Sequence, residues 1–519
     1  MLHSAWIRYL LMTFLLTFSS ILEGYAQQPV VSEDFENLKG FSTAPGIAGK
    51  AFDLGPNSSK RLAMAVKNPL KNDNGDFSVT VWVKPHIESR EYYEILSALE
   101  LQVTGQANGW KIAIKPNGSW EFEASKGDCQ YKYTTSPGRQ TIRNGDWHLL
   151  AITYSKISET LTFYYNGEKM AVYYSPGLAG FFTAADLVIG NSPLNKRSFG
   201  FLETGWDSFY GWIDDIHLYD QVLPETFIRH YYARLARIPN TKTTNFALKR
   251  EFLQVTAFNI WKGGNQFGKE AGKKRLIEVM KKLNSDVFLV VETNGSGPEI
   301  ADALGYQLYL ISSNLSIVSR YPITATYAIY KPFHSGGVKI SLTGGREINV
   351  FCNWLSSQPQ YFIAGLTPNE SWPLEKYLEE EHKTRVKDID AILENIDNHA
   401  QNADSIPIIL GGDFNSGSHL DWTEKTKSLH NNYVVPWPVS IRLQNKGFID
   451  SFREIHPDPL ATPGLTWSPI RNFPIKDRID YIYYKGKDIR AVHSEVTDDY
   501  SLGWPSDHSA VTTIFQFNP

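Results

Sequence analysis

Between Val31 and Tyr232 apolar and polar residues alternate in short runs, as in FSVTVWVKP, GWKIAIKPNGSWEFEA, HLLAITY, LTFYYNGEKM and GWIDDIHLYD. A period of two sends successive side chains to opposite faces, so each run predicts a half-buried strand. Asn117-Gly118 and Asn166-Gly167 interrupt the runs where tight hairpin turns would sit. Residues 31–232 therefore predict an all-β sandwich. From Phe252 the rhythm changes. Strand-like runs (LQVTAFNIW, DVFLVVE, LSIVSRYPI, ATYAIYK, EINVFCNWL, IPIILGGDFN, DYIYYKG, SAVTTIFQF) now alternate with helical ones. In AGKKRLIEVMKKLN, Leu276, Val279, Met280 and Leu283 share one stripe. EKYLEEEHKTRVKDIDAILENIDNHA reads as one further helix, with Val386, Ile389, Ile392, Leu393 and Ile396 on its apolar side. Residues 252–519 thus predict a layered α/β or α+β domain.

Residues 233–251 separate the two patterns. Pro239, three Thr and mixed charge leave little apolar periodicity there, which suits a linker. A length of 519 residues agrees with two cores rather than one. The net charge of -4 carries no basic footprint of the kind extended nucleic-acid binding leaves. At the N-terminus Arg8 precedes the apolar stretch Tyr9 to Phe18, and Gly24 and Ala26 flank a small-residue cut before Gln27. Residues 1–26 are expected to be a signal peptide, and the mature protein to be secreted, periplasmic or extracellular. No later run is long and apolar enough to predict a transmembrane helix. The two cysteines, Cys129 and Cys352, fall in different predicted domains, which excludes a disulfide framework and a thiolate metal site.

Several apolar strands of the second half finish on residues that a core would reject: Asn259, Glu292, then Asp413 and Asn415. Asp480 opens another, and Asp507-His508 precede the last. Asp413 and Asn415 are two apart, so on a strand they project together, and Gly411-Gly412 let another group come close. A carboxylate able to align or deprotonate water, beside an amide able to donate to a phosphoryl oxygen, suits phosphate chemistry. Glu292 offers a hard oxygen to a cation such as Mg2+. A protonated His508 would pair with a phosphate oxygen. Any one strand-terminal Asp or Asn is more often a turn cap. The signal is their recurrence across separate strands.

In order along the chain, TAFNIW, VVETNG, LSIVSRYPI, GGDFNSG, GFIDSF, RIDYIYY and PSDHSAV resemble the endonuclease/exonuclease/phosphatase superfamily, from about Leu253 to Phe517. The resemblance implies a deoxyribonuclease-like four-layer sandwich and a metal-dependent phosphoric ester hydrolase using Mg2+ or Mn2+. Carried over by position, Asn259 and Glu292 would hold the metal, with Asp507 as a further ligand or a carboxylate beside it. Asp413 would align or deprotonate the water, Asn415 would hold a phosphate oxygen, and His508 would contact the scissile phosphate. Asp480 would orient His508, with Asp477 of KDRID competing for that role. One slot departs from the family. Where a His or Tyr commonly follows the strand INVFCNWL, this chain has Trp354, or Asn353 in a shifted register. An indole has only a neutral N–H to offer. Either His334, His419 or Tyr361 substitutes, or the leaving group needs less help.

The first half, through GKAFDLG, GDWHLLAITY, YYNGEK, LVIGN and FYGWIDDIHLYDQVL, resembles the laminin-G or concanavalin-like jelly-roll family. That implies an accessory domain for a glycan or surface ligand and, in some members, Ca2+. Asp214 and Asp215 are candidate ligands for calcium, although a strand and turn-cap role is the favoured reading. Trp82, Trp110, Trp147 and Trp212 are expected in the core rather than as sugar platforms. In the second half, Trp422, Trp437, Trp467 and Trp504 either stack on substrate or pack the loops down. The expected function is a secreted metal-dependent phosphoesterase acting on a nucleic acid, phospholipid or sugar phosphate. The alternative is a non-catalytic adhesion or glycan-binding protein on a degenerate phosphoesterase fold.

Overall fold

The computed structural model describes residues 27–58, 63–68, 75–101, 107–126, 129–178, 185–192, 208–237, 251–359, 373–472 and 476–518. The expected signal peptide, most of the expected linker and Tyr361 lie outside the described residues.

The alternating runs of the first half fold as two facing sheets. One contains Thr43–Pro45, Lys50–Asp53, Gly211–Tyr219, Phe77–Pro85, His148–Ser155, Thr160–Tyr165 and Glu168–Tyr174, in spatial order. The other contains Met64–Val66, Leu187–Ile189, Tyr93–Leu101, Ala107–Ile114, Trp120–Lys126 and Cys129–Thr134. Val81, Ile112, Phe122, Ile152 and Phe163 fill the space between them. The opposite face of the first sheet carries Trp82, Leu149 and Tyr164, and the helix Glu225–Leu235 covers it through Ile228 and Tyr231. That helix extends into the stretch expected as a linker. Asn166 and Gly167 both take positive φ, 49° and 80°, and join Tyr165 to Glu168 as the hairpin reading requires. Trp82 and Trp110 are buried, Trp147 is partly buried and packs against the cluster under the helix, and Trp212 is partly rather than fully buried.

The second half is a helix–sheet–sheet–helix stack. Its first sheet runs Gln307–Leu310, Leu315–Ser319, Val287–Val291, Phe252–Asn259, Ala510–Phe517 and Ile489–Thr497. Its second runs Ile323–Ala328, Ser335–Ser341, Glu347–Trp354, Ile408–Asp413, Asp480–Lys485 and Ile449–Asp450. Alternation along each strand builds the layers. Val255, Leu289, Val350, Ile409 and Ile482 meet between the sheets. Phe258, Phe288 and Val290 point outward onto Leu276, Val279 and Met280 of the helix Lys269–Leu283. On the far side, Ile408, Leu410 and Tyr481 pack on Ile389, Ile392 and Leu393 of the helix Arg385–Asn395. The expected long helix is broken into Leu374–Lys383, Arg385–Asn395 and Asp397–Gln401. At the first break Thr384 leaves helical geometry and its hydroxyl donates back to Glu380 O at 2.8 Å.

The two halves are joined edge to edge. Glu168–Tyr174 pairs in parallel with Gln307–Leu310, setting Ala171 against Leu308, Val172 against Tyr309 and Tyr173 against Leu310. A sheet of the first half and a sheet of the second thereby become one sheet of 14 strands among the described residues. Polar contacts reinforce the seam. Asp302 accepts from Ser136 N at 2.9 Å and Gln140 Nε2 at 2.7 Å, and Arg139 donates to Tyr306 O at 2.8 Å. Burial pushes the Asp302 carboxyl up to about 6 against the opposing pull of Gln140, Ser136 and Arg139.

Candidate active site

Parallel strands of the two second-half sheets end on the same side, and their terminal residues meet there. Asn259 closes one strand opposite Val291, so Glu292 follows immediately beside it. Asp413 closes the central strand of the other sheet, with Trp354 as its partner on one side and Asp480 on the other. Gly412 has φ 135°, and a Cβ there would stand 2.0 Å from Asn353 O. Only glycine brings the strand through that contact.

Asn259 is the hub. Its Nδ2 donates to Glu292 Oε1 at 3.1 Å and to Asp413 Oδ2 at 3.0 Å, and so bridges the two sheets. Its Oδ1 accepts from Trp261 N at 3.0 Å, and its backbone oxygen accepts from Ser506 Oγ at 2.6 Å. Glu292 has φ 60° and Asn415 has φ 49°, left-handed values that a glutamate rarely adopts. The Glu292 turn is held by Lys262 N on Oε2 at 3.0 Å and Gly263 N on its carbonyl at 2.7 Å. Asn415 N donates to Asp413 Oδ1 at 2.9 Å, and its Nδ2 spends one hydrogen on Leu355 O at 3.0 Å.

His508 Nδ1 lies 2.9 Å from Asp480 Oδ2, and its Nε2 is 3.9 Å from Asp413 Oδ2. Asp477 is engaged elsewhere, accepting from Trp422 Nε1 at 2.7 Å. The contact expected of one of these two aspartates is therefore made by Asp480. Burial alone would lower the His508 pKa, but the charges of Asp480 and Asp413 outweigh it and hold the imidazole protonated. Burial pushes the Asp413 carboxyl up, Asp480 adds to that, and His508 and the Asn259 amide oppose it.

Two buried carboxylate oxygens, Asp480 Oδ1 and Asp507 Oδ1, have no hydrogen-bond partner. Burial raises the Asp507 pKa, with Glu292 contributing repulsion and His508 and Arg471 opposing it. Two carboxylates near enough to repel, one of them with an orphaned oxygen, fit a hard cation. Asp413, Asp480 and His508 also bring one potential ligand atom each within 4.8 Å of one another. In that trio, however, the imidazole is already engaged, with Nδ1 2.9 Å from Asp480 Oδ2 and Nε2 turned toward Asp413 Oδ2 at 3.9 Å. The Glu292–Asp507 side is the better seat.

Residues 256–508 match the Endonuclease/Exonuclease/phosphatase family, with every residue of this cluster inside the match. The second half is an endonuclease/exonuclease/phosphatase domain. Residues 58–229 match the Concanavalin A-like lectin/glucanases superfamily, so the phosphatase-family domain follows a concanavalin-like one. An uncharacterized protein of Caenorhabditis elegans is 29% identical over 300 residues, 51% of this chain and 91% of that one. Among solved structures, the human Nocturnin catalytic domain with bound sulfate is 16% identical, with 52% of this chain and 96% of that one covered and a TM-score of 0.37. Truncated Caenorhabditis elegans TDP2 is 15% identical, with 51% and 97% covered and a TM-score of 0.36. The family supports phosphoric ester hydrolase activity in general terms.

Of Trp354 and Asn353, it is Trp354 that ends the strand, opposite Asp413. Asn353 is buried, accepts from Ser335 Oγ at 2.6 Å and so belongs to the sheet. The Trp354 ring stacks on Phe333 at 4.8 Å. His334 lies beside it, its Nδ1 2.8 Å from Trp354 O. His419 has both nitrogens engaged, with Ser440 Oγ and Gln444 Oε1 each at 2.8 Å. The four loop tryptophans, Trp422, Trp437, Trp467 and Trp504, are all buried and pack the loops. Trp504 Nε1 donates to His508 O at 2.6 Å, fixing the backbone of the histidine. Ser506, Thr466 and Arg471 were not singled out from sequence. Ser506 sits in PSDHSAV itself, and Thr466 Oγ1 accepts from Asp480 N at 3.1 Å.

In the concanavalin-like domain Asp214 is fully buried and accepts from Ile47 N at 2.8 Å, Ala48 N at 3.2 Å and Asp215 N at 2.8 Å. It tethers a turn. Asp215 accepts from Tyr231 at 2.5 Å and lies 3.2 Å from His217 Nε2. Both candidate calcium ligands are thus occupied by structural bonds, as the turn-cap reading expects.

Proposed function

We propose that this protein is a secreted, divalent-metal-dependent phosphoesterase. The observation that carries the reading is the junction of Asn259, Glu292, Asp413, Asp480 and His508 across two sheets, which a binding scaffold has no chemical need to assemble. Glu292, Asp507 and Asn259 would hold Mg2+ or Mn2+. The bound ion would neutralise phosphate charge. Asp413 aligns a water and takes its proton as the water oxygen attacks phosphorus. The ester P–O bond breaks, its electron pair leaves with the departing oxygen, and that oxygen takes a proton from solvent while Asp413 returns its own to solvent. His508, held by Asp480, pairs with a phosphate oxygen, and the second amide hydrogen of Asn415 is available to another. The concanavalin-like domain would dock a glycan or surface ligand beside the substrate, which is a nucleic acid, a phospholipid or a sugar phosphate.

The test is a panel of DNA, RNA, sphingomyelin and chromogenic phosphomonoesters and diesters with Mg2+ or Mn2+, comparing wild type with Asp413→Ala. Turnover by wild type and its loss in the variant supports the reading. Equal rates in both overturn the role of Asp413. Trp354 in the divergent slot favours the second reading, a non-catalytic binder. Folded wild-type protein that turns over no phosphoester and still binds glycan would establish that one instead.

A further inference from the structure

Asp507 has one oxygen without a partner and another 3.3 Å from Arg471 Nη2. Arg471 belongs to a loop closed by the backbone pair Trp467–Asp477, each donating to the other's carbonyl at 3.0 Å. Its guanidinium lies over the Trp261 ring, 5.1 Å from the centroid. Trp261 is itself fixed to the hub by its backbone N–H on Asn259 Oδ1 at 3.0 Å. The Arg471 side chain is 42% exposed, against 9% for Asp507. A cation is thus held at the mouth of the site by a stacking surface on one side and a displaceable carboxylate on the other.

We propose that Arg471 is a specificity residue that pairs with substrate phosphate and biases the site toward phosphomonoesters. This rests on the phosphoesterase reading above. A cation held by Glu292 and Asp507 would weaken the hold of Asp507 on the guanidinium, while Trp261 keeps it stacked in place. The planar fork then presents two parallel N–H groups to a phosphate. A diester has two non-bridging oxygens and a single negative charge. A monoester has three such oxygens and a charge of roughly -1.5 to -2 at neutral pH. His508, the metal site and Arg471 together offer positive charge to three oxygens, which matches the monoester.

The experiment compares wild type, Arg471→Gln and Arg471→Lys on p-nitrophenyl phosphate and bis-p-nitrophenyl phosphate with Mn2+. Calorimetric titration of inorganic phosphate into the Mn2+-loaded proteins, and of Mn2+ into the metal-free ones, gives a readout independent of turnover. Arg471→Gln is expected to raise KM for the monoester, and Kd for phosphate, by about tenfold to a hundredfold, the range for losing a charge-assisted pair. The diester KM should move by less than about threefold on the same grounds, with the lysine variant intermediate. Mn2+ affinity should be unchanged or tighter, since a competitor for Asp507 has gone. Equal losses on both esters, or unchanged phosphate binding, overturn the proposal. If neither ester is turned over by any form but phosphate binding still weakens in the glutamine variant, the phosphoesterase reading fails and the anion-binding role of Arg471 stands.

Discussion

Asp480 Oδ2 and His508 Nδ1 stand 2.9 Å apart in a buried site, and the contact leaves the other ring nitrogen facing Asp413 at 3.9 Å. The pairing fixes both the orientation and the charge of the imidazole. Asp480→Asn keeps the shape but removes the charge. It is expected to lower kcat by about a hundredfold to ten-thousandfold, the span of a lost acid–base or charge-stabilising group. Mn2+ affinity should be nearly unchanged, because Asp480 is not on the Glu292–Asp507 side. Steady-state kinetics with parallel metal titration checks both.

Glu292 and Asp507 repel each other in a partly buried setting. A cation between them should stabilise the fold, by about 2.7 kcal/mol at a hundredfold excess over Kd. Thermal melts with and without Mn2+ are expected to show that rise in wild type and none in Glu292→Ala. Chelation should return wild type to the metal-free curve. An identical rise in both proteins would remove Glu292 from the metal site.

His334 and His419 were equal candidates for the contact that Trp354 does not supply. Of these two, His334 adjoins Trp354, through its carbonyl. His334→Ala is expected to reduce kcat/KM by about tenfold to a hundredfold. His419→Ala, whose ring serves Ser440 and Gln444, should leave it within about twofold, as for a residue away from the chemistry. Reversal of that order would place the missing contact elsewhere.

At the seam, Asp302 has its pKa raised by burial to about 6 from a reference of 3.8. A carboxyl raised on folding favours the folded state below its unfolded pKa, and that contribution is lost as pH rises through the folded value. The difference in Tm between wild type and Asp302→Asn should therefore be most in favour of wild type near pH 4 and decline up to about pH 6. A difference independent of pH would mean that the carboxyl does not titrate in this window.

The layers of the second half were legible because its strands and helices carry their own periods: Leu289 and Ile409 face inward and Phe288 and Leu410 outward, as alternation dictates. The site was legible because its polar residues end apolar strands. Asp477 and Asp480 could not be separated in sequence, since the choice depends on which one the sheet places against Asp413. The long helix was misread at Thr384, where one hydroxyl competes with the backbone. The pairing of Glu168–Tyr174 with Gln307–Leu310 leaves no local mark, because each strand alternates the same way whatever its neighbour. Arg471 was invisible for a related reason: its meaning comes from Trp261, 210 positions earlier in the chain.

That shared sheet fixes how far one end of the first domain stands from the candidate site. Parallel pairing of Tyr173 with Leu310 brings the turn Ser155–Thr160, with its outward Ile157, to the same end of the sheet as Glu292. Four strand spacings separate them, about 19 Å. A ligand held at that turn would be presented to the candidate site at a set span and angle, like a workpiece in a jig, and targets whose two features are spaced otherwise would be passed over.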